Sequence, residues 1–267
     1  MGDTKQMAEI SDTGTFTYWT QGQAQHKQQP EYKEPTKVTE MSFQEWVTKA
    51  NVTDESLLRT DSTHYYFQVV GCAPGVASSS SVSSSSSSLS NNVVDQSCST
   101  LAGNAVHMPY LIDELPFYTQ THASLYIKEP VEARASSSSK AINCRFGMKG
   151  VMATNHLDGE RNFVTLLSGE RRYILSHPQN CAAMSLFPFG HPSARHSAVD
   201  WSDPNLQLYP QFQDATANEI VLQAGESLFI PSTWFHYIAS LSTNVQCNTR
   251  SGMDYRYIPD LERTCGE

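Results

Sequence analysis

The second half of the chain is built from short runs of β-branched and aromatic residues, and this texture predicts strands. Asn162-Phe163-Val164-Thr165-Leu166-Leu167, the turn Ser168-Gly169-Glu170, and Arg171-Arg172-Tyr173-Ile174-Leu175 read as a hairpin around a glycine-containing loop. Glu219 to Leu222, a turn at Ala224-Gly225-Glu226, Ser227 to Pro231 and Phe235 to Ala239 continue the series. Asn244 to Arg250 alternates strictly, with Asn244, Gln246, Asn248 and Arg250 on one face and Val245, Cys247 and Thr249 on the other. Earlier, Tyr65 to Val70 reads as a strand and Thr15 to Trp19 as a β-like patch. A short helix is predicted over Ser42 to Val47, because Ser42 and Glu45 have the spacing of a capping box. Many short strands with turn signals and few helices predict a mainly β fold, with a jelly roll as the economical choice.

Two stretches break this texture. Residues 73–105 hold a nearly pure serine tract, and 135–140 a shorter one. Such segments bury too little apolar surface to offset their ordering entropy, so both are read as insertions outside the fold, the longer one disordered. The expected organisation is a polar segment, 1–40, that partly joins the barrel, followed by one domain over 41–267.

Composition narrows the function. A net charge of −9 with 17% charged residues argues against nucleic-acid binding, which needs cations to neutralise phosphates, and against docking on anionic membranes. No apolar run is long enough to span a bilayer, and Met1 to Gln6 leads into no apolar stretch, so neither a membrane anchor nor a secretory signal is expected. The six cysteines are scattered without a CxxC pair, which excludes closely paired zinc ligands. Reduced thiols in a cytoplasmic or nuclear protein are expected, with Cys144 and Cys247 buried and inert.

The candidate chemistry lies in Thr154-Asn155-His156-Leu157-Asp158 and Pro231-Ser232-Thr233-Trp234-Phe235-His236. On an extended chain His156 and Asp158 project to one face and can share a metal ion. Adding His236 makes two imidazoles and a carboxylate, the facial triad of non-heme Fe(II) oxygenases. The His-x-Asp triplet alone has little weight, since composition yields roughly 0.4 of them by chance. Gly190 to Ser197 adds polar groups in a Gly/Pro loop, and Arg195 there is expected at the substrate rim.

The blocks His156 to Leu175 (HLDGERNFVTLLSGERRYIL) and His196 to Ser240 (HSAVDWSDPNLQLYPQFQ, then AGESLFIPSTWFHYIAS) resemble the Jumonji-C oxygenases of the cupin superfamily. The resemblance is strongest to the branch containing the asparaginyl hydroxylase that acts on hypoxia-inducible factor. It implies a double-stranded β-helix, Fe(II) held by His156, Asp158 and His236, 2-oxoglutarate as co-substrate, and dioxygen. It further implies that Tyr66 contacts the distal carboxylate of 2-oxoglutarate and that Asn162 lies near its chelating end. Arg171 stands where the family has a lysine for that distal carboxylate, and Ala153 where it often has a threonine, with Thr154 one step later.

The resulting expectation is an Fe(II)- and 2-oxoglutarate-dependent dioxygenase that hydroxylates a protein side chain. Lysine demethylation is the second activity, disfavoured because neither a reader domain nor a basic patch is present. The rival of another class is a cupin-fold binding module that has lost turnover, motivated by Arg171 and Ala153. A metal-cupin enzyme that uses no 2-oxoglutarate is the third. Arg171 bears on the choice between the oxygenase and the binding module: facing inward it can hold a carboxylate, whereas facing solvent beside Arg172 it cannot. Oligomeric state has no signature in the sequence.

Overall fold

The structure is a computed structural model, and it describes residues 15–19, 37–40, 42–51, 64–72, 106–107, 111–115, 141–188, 194–201 and 203–253, with 259, 261 and 265. Both serine tracts lie outside the described residues, as do Gly190 to Ser193 of the polar loop.

Ser42 caps the helix as its spacing predicts: its hydroxyl accepts from the Glu45 amide (3.2 Å), and the Glu45 carboxylate accepts from the Ser42 amide (3.4 Å). Helix α1 then runs Phe43–Ala50 and buries Phe43, Trp46 and Ala50, spaced as one face of a helix. That face packs on Phe67 and Phe146, with ring centroids 5.2–6.0 Å apart across the contact.

Twelve strands are present among the described residues: β1 (Thr15–Trp19), β2 (Lys37–Glu40), β3 (His64–Cys72), β4 (Val106–His107), β5 (Ala141–Gly147), β6 (Met152–Leu157), β7 (Glu160–Ser168), β8 (Glu170–Ser176), β9 (Asn218–Gln223), β10 (Ser227–Ile230), β11 (Phe235–Ser240) and β12 (Asn244–Met253). They form a large sheet in the order β10-β7-β12-β5-β3-β1-β2, with β4 parallel to β3, and a smaller sheet β6-β11-β8-β9. Strands β1 and β2, from the polar N-terminal stretch, add to the free side of β3. From β5 onward the chain passes back and forth between the sheets, which makes the architecture the jelly roll that the strand texture predicts. One apolar layer lies between α1 and the large sheet. A second, of Val164, Leu166, Tyr173, Leu175, Leu222 and Ile230, fills the space between the two sheets.

The β7–β8 turn is a correction to the sequence reading. These strands do not pair: β7 lies in the large sheet against β10 and β12, and β8 in the small one against β11 and β9. Gly169 makes the crossing at φ +77°, where an added Cβ would collide with the Thr243 carbonyl oxygen. A period of two identifies strands but does not say which neighbour each will choose.

The cysteines are a second correction. Cys144 and Cys247 are buried as expected, yet they face each other across β5 and β12 with Cα atoms 4.0 Å apart and form a disulfide. Cys181, at the start of the short helix α2 (Cys181–Met184), is bonded to Cys265. Partners 103 and 84 residues apart leave no local spacing to read, so the pairing comes from strand register and docking alone. No helix among the described residues is long and apolar enough to cross a membrane.

Candidate metal centre

His156 on β6 and His236 on β11 sit directly opposite each other in the small sheet, and their ring centroids are 4.2 Å apart. Asp158 follows the end of β6, with one carboxylate oxygen 3.8 Å from His236 Nε2. One ligand atom from each of the three lies within 4.8 Å of the others. The Nδ1 of His156 contacts the Thr154 carbonyl (2.8 Å) and that of His236 the Trp234 carbonyl (3.0 Å). A carbonyl only accepts, so both Nδ1 atoms carry the proton and both Nε2 atoms keep a lone pair. Burial pushes both imidazoles below their ordinary pKa, for His156 with the adjacent His236 acting in the same sense, so both are neutral at pH 7.

Asp158 stays ionised. Burial favours its neutral form, but His236, His156, Arg250 and Arg195 outweigh that and hold it below the usual carboxylate range. Arg250 Nη2 donates to its Oδ2 (2.7 Å) and Arg195 Nη1 to its Oδ1 (3.3 Å), while Arg195 also donates to the Leu157 carbonyl (3.0 Å). Arg195 thus clamps the carboxylate while its side chain stays 55% exposed. Two neutral imidazole nitrogens and a fixed carboxylate on one face suit a divalent first-row metal such as Fe(II).

Of the three residues expected at the co-substrate, Arg171 and Asn162 are buried between the sheets. Strand alternation turns Arg171 inward, 5% exposed, and Arg172 outward, where it pairs with Glu219 at 2.7 Å. Arg171 Nη1 donates to Gln246 Oε1, and its Nε has no partner. On β8, Arg171 lies opposite Ser240 while Leu175 lies opposite His236. Four residues of strand, about 13 Å, thus separate the cation from the level of the metal cluster. Tyr66 on β3 stands near Arg145 of β5, close enough for their charges to interact. Asn162 is paired across strands with Arg250.

Arg145, Gln246, Asn248, Arg250 and His196 escape the sequence reading. The alternation of β12 had already placed Gln246, Asn248 and Arg250 on one face. Whether that face meets water or a site depends on what lies across it, and here Arg145, Arg171 and Asp158 do. His196, bridged to β6, stacks on His156 with centroids 5.1 Å apart.

A jelly roll with two histidines and a carboxylate on the inner end of adjacent strands defines a metal-binding cupin. The chain belongs to the cupin-like domain family, whose pattern matches residues 11–249, and the Jumonji-C resemblance is borne out with it. Its relatives include tRNA wybutosine-synthesizing protein 5 of Danio rerio, 32% identical over 115 residues, which are 43% of this chain and 32% of that protein. Lysine-specific demethylase JMJ31 of Arabidopsis thaliana is 30% identical over 124 residues, 46% of this chain and 22% of that one. Lysine-specific demethylase 8 of Xenopus tropicalis is 34% identical over 108 residues, 40% and 24% respectively. The matched stretches thus span a third or less of each relative.

Proposed function

We propose that the protein is an Fe(II)- and 2-oxoglutarate-dependent oxygenase that hydroxylates a protein side chain. The observation that carries this reading is the pairing of the His156–Asp158–His236 cluster with the buried, carboxylate-free cation Arg171 deeper between the sheets. A binding module without turnover has no need of such a cation there. An outward Arg171 would have favoured that module.

His156, Asp158 and His236 are the residues that hold the metal. With 2-oxoglutarate and dioxygen, Fe(II) supplies the oxidation of an unactivated C–H bond, and the protein supplies position and charge. The Nδ1–H bonds to the Thr154 and Trp234 carbonyls aim the two Nε2 lone pairs. Arg250 and Arg195 keep Asp158 anionic and oriented. Arg171 takes the distal carboxylate through its free Nε and remaining donors, Tyr66 is the second proposed contact of that carboxylate, and Asn162 contacts the opposite end. Leu175, opposite His236 on β8 and packed in the layer between the sheets, is the apolar neighbour of the histidines.

A protein substrate is favoured over RNA by the net charge of −9, although one relative is named for tRNA. The two relatives named as demethylases keep lysine demethylation as the alternative. The proposed organisation remains a polar segment, 1–40, ahead of one cupin domain, 41–267, with serine-rich insertions at 73–105 and 135–140. A cytoplasmic or nuclear location goes with this reading. The two disulfides are the observation that favours an oxidising compartment instead.

The test is conversion of 2-oxoglutarate to succinate by purified protein with Fe(II), ascorbate and dioxygen. Turnover, even uncoupled from a substrate, is expected, and its absence in a metal-loaded sample would return the choice to the binding module. Peptide mass spectrometry for one added oxygen atom, against loss of a methyl group, separates hydroxylation from demethylation.

A further inference from the structure

Resting on the oxygenase reading, we infer that Arg145 is a positioning residue that, through Asn248, fixes which atom of the Asn162 amide the chamber presents to its ligand. Arg171 and Arg145 are both guanidinium groups and can only donate. Arg171 donates to Gln246 Oε1, so the other end of that amide, Nε2, donates to Asn248 Oδ1 (3.2 Å). Arg145 Nη1 donates to the same Asn248 oxygen (2.7 Å). With its oxygen doubly engaged, Asn248 turns Nδ2 toward Asn162 and donates to Asn162 Oδ1 (2.9 Å). Asn162 is left with Nδ2, which has no acceptor among the described residues.

Two arginines at the head of the chain therefore dictate the sense of three amides, and the last one offers N–H rather than C=O. Gln246, Asn248 and Asn162 are all buried, at 3%, 1% and 8% exposure. Neither Arg145 nor Arg171 is paired with a carboxylate among the described residues, and Arg171 Nε is unsatisfied, which marks the chamber as built for an anion. Asn162 lies across the strand pair from Arg250, the partner of Asp158, which places it at the metal end of the chamber rather than the Arg171 end. The relay thus selects an acceptor-rich group, the 2-oxo acid end of the co-substrate.

The experiment titrates Fe(II)-loaded protein without oxygen, following the visible charge-transfer band of a chelated 2-oxo acid, with 2-oxoglutarate and with pyruvate. Pyruvate keeps the 2-oxo acid end and lacks the distal carboxylate. Arg145→Met is expected to weaken both ligands by a similar factor of about ten, one charge-assisted hydrogen bond. Arg145→Lys should recover part of that loss, and Fe(II) affinity should not move. Arg171→Met should weaken 2-oxoglutarate far more than pyruvate, because Arg145 still engages the Asn248 oxygen. Loss confined to 2-oxoglutarate in Arg145→Met would make Arg145 a holder of the distal carboxylate and overturn the inference, as would no change with either ligand. Side-chain amide NMR of the metal-free protein reads the relay without ligand. Arg145→Met should shift the Asn248 and Asn162 amide signals, and an unmoved Asn162 signal overturns the relay. A wild-type protein that binds neither acid yet shows these shifts overturns the oxygenase reading and leaves the relay standing.

Discussion

Arg250 Nη2 lies 2.7 Å from Asp158 Oδ2, so the carboxylate between the two histidines is tied to the last strand of the large sheet. The metal cluster belongs to the small sheet, and this ion pair makes its aim depend on how the two sheets close. Arg250→Met should lower metal affinity by roughly tenfold or more, the usual effect of removing an outer partner of a ligand. Arg250→Lys should recover part of it, and calorimetry with Fe(II) or Mn(II) reads both.

Acid should destabilise the metal-free protein in a window set by its histidines. His156 and His236 have folded pKa values below the ordinary 6.5, so just below pH 6.5 the unfolded chain binds more protons than the folded one. Stability therefore falls as pH drops through that region. Asp158, also depressed, adds a further loss only below its ordinary value of 3.8. The Tm of metal-free protein is expected to be lower at pH 5.5 than at 7.5. His156→Gln should flatten the difference, and an equal slope in that variant would assign the titration elsewhere.

At the co-substrate end, Arg171→Ala should weaken 2-oxoglutarate binding at least tenfold. Charge-assisted bonds shielded from water contribute roughly 1.5–3 kcal/mol each. Arg171→Lys should be the milder defect, because the charge stays while the planar fork is lost. Unchanged affinity in Arg171→Ala would remove the co-substrate assignment.

Gly169→Ala is expected to cost about 2 kcal/mol or more in urea unfolding. Its left-handed backbone disfavours a side chain, and the new methyl group meets the Thr243 carbonyl at the point where the chain leaves one sheet for the other. Gly225, at φ +91° but with nothing within 4 Å of an added Cβ, is the control and should suffer the conformational term alone.

Alkylation of unfolded but unreduced protein should leave Cys144, Cys247, Cys181 and Cys265 unmodified, as read by peptide mass spectrometry. Full labelling of all four would restore the reduced state that their scattered spacing suggests.

Much of the site follows from local pattern. His156 and Asp158 share a face because strand side chains repeat every two residues, and the same rule turns Arg171 inward once Arg172 is outward. The capping box of α1 is equally local, needing only Ser42 and Glu45 on adjacent turns. What the sequence by itself determined is therefore the strands, the helix, the ligand types and the family they resemble. Tertiary structure decided the rest: that β7 and β8 part into different sheets, that Cys144 finds Cys247, and that Arg250 reaches Asp158. It also decided that Arg145, Asn248 and Asn162 join in one chain of donors. Each depends on which strands lie side by side, a choice made by burial and register over separations of about a hundred residues, where local periodicity carries no information.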